Sequence, residues 1–280
     1  MGAGQSGMGA KGGLGEFPEC CVAMILARLD PPEICRFAML NRAFRRASLA
    51  DFVWESKLPA NYEFLVRKLF DESPSRMSKR EIYSLLSKAV RFDAATKEIW
   101  LEKRSGRMCM AISWKGLKIT GIDDRRYWSH IPSQESRFHS IAYLHQVWWL
   151  EVRGELDFNF AAGTYSLYFR LQLGKPPTRL NPRRACNLDQ VHGWHIKPVR
   201  FEMSTSNGQH AVSQCYLKEL GGWVDYHVGD FIVENHHVPL NIKFSMTQID
   251  CTHTKGGLCL DCVIICPCES AQGLKKAQVL

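Results

Sequence analysis

The chain has 280 residues, 45% hydrophobic and 23% charged, with 36 basic against 28 acidic side chains and a net charge of +8. That composition is ordinary for a globular chain and excludes collagen-like, coiled-coil and largely disordered classes. No run reaches the roughly 18 uncharged apolar residues of a membrane helix, and no basic-then-apolar leader opens the chain. The basic excess is spread over both halves. No nucleic-acid partner is therefore expected, since such a partner calls for charge gathered on one face or stripe. The 11 cysteines, an odd number without a secretion signal, point to a reducing compartment, the cytoplasm and/or nucleus.

Residues 1–13 are Gly, Ala, Ser, Gln and Met with a single Lys; they bury nothing and are expected to form a disordered tail. Met1-Gly2 with Ser6 fits the N-myristoylation pattern, which makes Gly2 a lipidation candidate. One acyl chain without a polybasic segment gives membrane association that is at most weak and reversible.

From residue 14 the period is helical. Val22, Ile25, Leu26 and Leu29 form one stripe. Asp30-Pro31-Pro32-Glu33 then stops one helix and caps the next. Ile34, Phe37, Ala38 and Asn41 repeat the stripe, Phe44 follows, and a short helix carries Phe52, Val53 and Trp54 up to Pro59. Two further helices are expected, one over 62–70 and one opening at Ser78 with Glu81 at capping-box spacing.

After about Thr96 the period becomes 2. Tyr165, Leu167, Phe169, Leu171 and Leu173 alternate with polar residues, as do Leu240, Ile242, Phe244 and Met246. Runs 147–152 and 258–265 also read as strands. Many short strands without intervening helices predict a β-sandwich.

The first unit resembles an F-box. The resemblance rests on Phe17-Pro18, Ile25-Leu26-x-x-Leu29, Pro31-Pro32, Ile34-Cys35, the 42–45 turn region and Asp51-x-x-Trp54. It implies a small helical bundle that docks on a Skp-type adaptor, itself joined to a cullin, with Phe17, Pro18, Ile25, Leu26, Leu29, Ile34 and Cys35 near that interface. A unit this short keeps little surface buried on its own and needs a partner.

The second half resembles the phloem protein 2-type lectin domain. The matching text is Gly116-Leu117-Lys118-Ile119-Thr120, Tyr127-Trp128, Val147-x-Trp149-Leu150-Glu151-Val152-x-Gly154, Tyr165-x-x-Tyr168-Phe169, Gly222-Trp223, Gly229-Asp230-Phe231 and Gly257-Leu258. The order of the two units resembles the plant F-box phloem protein 2-A subfamily. The implied fold is α+β and multidomain: a disordered tail (1–13), an F-box bundle (14–58), a helical linker (59–96), an all-β, jelly-roll-like lectin sandwich (97–269) and a loose tail (270–280).

The resemblance implies carbohydrate binding, with Tyr127 and Trp128 at the family's sugar-stacking positions and Asp230 and Glu234 accepting sugar hydroxyls. The chain departs from the family at Gly121, where the lectin has a second tryptophan. Trp148 and Trp149 are adjacent in an expected strand, so one should be core and the other outer. The late thiols Cys251, Cys259, Cys262, Cys266 and Cys268, with His253, suggest zinc. Period 2, however, sends Cys259 and Cys262 to opposite faces, so no metal or other cofactor is expected. No nucleophile has a legible base beside it, so the chain is expected to be a non-catalytic adaptor subunit. The expected function is substrate recognition in a Skp-cullin-F-box ubiquitin ligase, with a glycan or glycoprotein target. The alternative is a stand-alone defence or stress lectin.

Overall fold

The computed structural model describes residues 18–102, 106–176, 186–235 and 237–268. Six helices come first: α1 (Glu19–Leu26), α2 (Pro31–Phe37), α3 (Arg42–Ala47), α4 (Asp51–Glu55), α5 (Tyr62–Phe70) and α6 (Lys79–Leu86). Their ends are fixed by the residues that signal them. The Asp30 N–H donates to Glu33 Oε2 (3.2 Å) before α2. Asn41, expected on the apolar stripe of that helix, is instead exposed beyond its end at Phe37 and caps a separate helix, its Oδ1 accepting from the Phe44 N–H (2.9 Å) before α3. At α6 the Ser78 N–H donates to Glu81 Oε2 (2.9 Å), completing the expected box.

Val22, Leu26, Ile34, Phe44, Val53 and Trp54 are buried together. Phe37 stacks on Phe44, and the Trp54 Nε1–H donates to Ser48 O (2.6 Å). Trp54 also meets Tyr83 of α6 at 5.2 Å between ring centres, which ties the first four helices to the last.

Thirteen strands follow among the described residues. One sheet holds β1 (Val90–Phe92), β2 (Lys97–Leu101), β3 (Met108–Ser113), β5 (Trp128–Pro132), β6 (Ser140–Leu144), β8 (Gly163–Leu173), β11 (Trp223–Val233) and β13 (Leu258–Pro267). The other is ordered β10-β9-β12-β7-β4, from His210–Cys215, Val199–Thr205, Leu240–Gln248, Leu150–Phe158 and Lys118–Ile119. All ladders are antiparallel. The sheet therefore begins at Val90, inside the segment expected to be helical linker. Three residues are too few for a period to be read.

The predicted alternations of β8 and β12 face one another across the core. Phe169 meets Phe201 at 5.7 Å and Phe244 at 6.1 Å. Strand β13 is buried at every position because both of its faces are covered. The face away from the sandwich core packs Cys262, Ile264 and Cys266 under Phe138, Tyr168 and Trp100.

A bulge between Leu260 and Cys262 corrects one expectation. It puts Cys259 opposite Gln172 and Cys262 opposite Arg170, so the two thiols share a face. No group of three or more metal-ligating side chains forms among the described residues. Burial pushes the Cys262 thiol far up, which leaves it protonated and inert.

The helices are fastened to the sandwich. Phe64 of α5 packs edge-on to Phe158 of β7 (5.5 Å), Phe92 of β1 lies 6.3 Å from the same ring, and Asn61 Nδ2 donates to Asn159 O (2.6 Å). Helical and sheet side chains belong to one buried cluster.

Candidate functional site

The helical unit leaves large apolar side chains in water: Met24 (57% exposed) and Ile25 (49%) on α1, Met39 (80%) and Leu40 (64%) between α2 and α3, then Leu49 (52%) and Phe52 (47%) at α4. Of the side chains expected near the adaptor, Pro18, Ile25 and Cys35 are exposed and Leu29 is half-buried. Leu26 and Ile34 are 0% exposed. They hold the bundle together and cannot touch a partner while it is folded, which corrects that part of the reading. Phe17 and Gly2 lie outside the described residues. Sequence reasoning passed over Met39, Leu40 and Leu49, which sit between helices and outside any periodic stripe. The available signal was large apolar residues in turns that a solvated turn would make polar.

On the sandwich, Tyr127 follows a tight turn. The Arg126 guanidinium donates to both Asp124 oxygens (2.7–3.1 Å) and lies over the Tyr127 ring at 5.5 Å. The Arg126 side-chain bond, then its backbone bond, hold the Asp124 carboxyl below the usual range. Gly121 has φ +72°, and a Cβ there would come 3.2 Å from the Tyr127 ring. A tryptophan at that position would be strained and crowded.

Tyr127 is 38% exposed, but Trp128 is 1% exposed and its Nε1–H donates to Thr120 O (3.1 Å). Trp128 is a core residue and presents no ring face to a sugar, which corrects the expectation for it. Asp230 lies on β11 opposite Ser166 and accepts from His227 Nε2 (2.8 Å). Burial opposes its ionisation, but bonds from Ser166 and His227 prevail and hold the carboxyl below its usual range. Glu234 is exposed just past the same strand end.

The expected quartet does not converge. Trp128 pairs with Leu144 and Leu144 with Leu258, at one end of β13. Asp230 pairs with Ser166 and Ser166 with Cys266, near the other end. The two ends stand roughly 25 Å apart at the rise of a strand.

Trp148 and Trp149 are both exposed, at 54% and 43%. The expected core-and-outer split fails because the run is not one strand. Val147 bridges to Lys255, the chain bends at Trp148, and β7 starts only at Leu150. Lys255 locks this bend from beneath. Its ammonium is 0% exposed and donates to the carbonyls of Trp148 (2.7 Å), Gln248 (2.9 Å) and Asp250 (3.0 Å).

The outer face of the five-stranded sheet is an open groove of about 730 Å³. Its walls carry Arg153, Glu151, Arg200, Glu202 and Lys243, with Ser245 and Thr247 along the floor. Gly154, between the outward Arg153 and Glu155, faces the core beneath the groove. A Cβ there would lie 2.1 Å from the Phe244 ring, which fills the space under the strand.

The F-box domain profile matches residues 14–56, and the Phloem protein 2 profile matches residues 107–267, more than half the chain. The chain belongs to the phloem protein 2 family. The Arabidopsis thaliana F-box protein PP2-A13 is 60% identical over 265 residues, 94% of this chain and 91% of that one. F-box protein PP2-A12 of the same plant is 58% identical over 95% of this chain and 91% of its own length, and F-box protein PP2-A15 is 48% identical over 99% and 96%. A solved family 35 carbohydrate-binding module from Clostridium thermocellum matches at a TM-score of 0.32 and 9% identity, over 56% of this chain and 96% of that one. The F-box match ends just after α4 and the phloem protein 2 match opens just before β3, so α5, α6, β1 and β2 join the two matched segments.

Proposed function

We propose that this F-box phloem protein 2 chain is the non-catalytic, substrate-selecting subunit of a Skp-cullin-F-box ubiquitin ligase. The helical unit docks a Skp-type adaptor and the sandwich captures a glycan or glycoprotein. The observation that carries the reading is the set of exposed large apolar side chains, Ile25, Met39, Leu40, Leu49 and Phe52, within the segment matched as F-box. A small bundle with that much apolar surface in water is built to be covered. The mechanism is proximity. A captured target held beside a charged conjugating enzyme meets it at an effective concentration set by the tether, which no free encounter supplies. The site of action is then the cytoplasm or nucleus, where such ligases work on their targets.

The test is co-purification. The full chain is expected to bring down a Skp-type adaptor and a cullin in stoichiometric amounts, and Ile25→Asp, at an exposed position, to lose both while staying folded. Glycan binding by a chain that retains no adaptor would favour the stand-alone lectin instead.

A further inference from the structure

The groove on the five-stranded sheet belongs to neither of the surfaces expected from sequence. It crosses β4, β7, β12 and β9, a span of roughly 14 Å at ordinary strand spacing, and its volume lies within the range of ligand clefts. We infer that this groove is the sandwich's glycan site and holds an extended, uncharged oligosaccharide, with Trp149 as the ring-stacking platform at one end. The inference deepens the glycan reading above and rests on it.

Charge selects the class of ligand. The groove is lined by Lys118, Arg153, Arg200 and Lys243 against Glu151, Glu155 and Glu202, four cations and three anions. These neutralise one another in place. Arg153 Nε donates to Glu151 Oε1 (2.9 Å), and Arg200 Nη2 sits 3.1 Å from Glu202 Oε2. His210 Nε2 reaches Glu202 Oε1 at 2.9 Å, and Lys243 Nζ lies 3.8 Å from Glu155 Oε1. A face so paired has little net field to recruit a phosphate or an acidic chain. It still presents planar donors and acceptors, with the Ser245 and Thr247 hydroxyls between them, and these suit a row of sugar hydroxyls.

A protein partner would want an apolar centre with a polar rim, and this floor is polar. An extended peptide would add to a sheet edge rather than lie across a face.

The stacking surface follows from register. Gln248 pairs with Leu150 and Thr247 with Glu151. Trp149 and Ile249 are the residues just beyond this last pair of the ladder, one on each strand, which sets the exposed Trp149 ring at the end of the groove. Ile249 lines the groove and is 49% exposed. The three-carbonyl anchor at Lys255 fixes the backbone at both Trp148 and Gln248–Asp250, so the platform is set before a ligand arrives, which lowers the ordering cost of binding.

The experiment titrates the full chain and three exposed-site variants, Trp149→Ala, Glu202→Ala and Tyr127→Ala, against a panel of neutral and acidic oligosaccharides, with circular dichroism confirming each fold. The inference expects a neutral oligosaccharide to bind wild type and Tyr127→Ala equally, and Trp149→Ala and Glu202→Ala about tenfold more weakly. Loss in Tyr127→Ala with both groove variants intact overturns the groove and leaves the glycan reading standing. A preference for acidic oligosaccharides overturns the charge argument. No binding by wild type to any oligosaccharide overturns the glycan reading and the groove together.

Discussion

At the scale of single residues, two buried or half-buried charges show how the sandwich organises its loops. Lys255 is shut away from the surface, and burial pushes its pKa down, yet three backbone carbonyls accept its three protons. Replacing it by methionine keeps the volume and strands those carbonyls. Lys255→Met is therefore expected to cost on the order of 3 kcal/mol, read as a lower urea midpoint, and to loosen the Trp148 and Asp250 backbones in hydrogen exchange. Asp230 behaves oppositely. Its folded pKa lies below its ordinary 3.8, so the stabilisation is present above that value and fades as the pH falls through it toward the folded value. The stability advantage of wild type over Asp230→Asn is expected to be present at pH 5 and to shrink below pH 3.8, in urea titrations at each pH.

At the scale of elements, α1 separates two jobs that one apolar stripe had merged. Leu26 is fully buried while Ile25, its neighbour, is half in water. Leu26→Ala is expected to cost about 3 kcal/mol through the cavity it leaves, whereas Ile25→Ala is expected to change stability by less than about 1 kcal/mol. Equal urea midpoints for the two variants would refute this division. Strand β13 teaches a related lesson. One extra residue at its bulge re-aims every side chain beyond it, so the period-2 argument that parted Cys259 from Cys262 was sound for a regular strand and wrong for this one.

At the scale of the whole molecule, the helices and the sandwich share a core through Phe64, Phe92 and Phe158. The chain is expected to unfold in one transition, with ellipticity and tryptophan fluorescence coincident. A fragment starting at Lys97 loses β1 and α5, bares the Phe158 ring and leaves β2 as an edge. Its urea midpoint is expected to fall below that of the full chain.

The succession of helices then strands, the caps at Asp30 and Ser78, the alternation of β8 and β12, and the family itself were determined by the sequence alone, because each rests on neighbours within a turn or a pleat or on motifs in fixed order. What the sequence could not decide were matters of long-range contact. The tertiary structure put Trp128 in the core, left Trp148 and Trp149 in water, placed Tyr127 and Asp230 at opposite ends of a sheet and assembled the groove from strands far apart in the chain. An aromatic reads the same in a core and in a binding face, and only packing against distant strands fixes which side of it meets water.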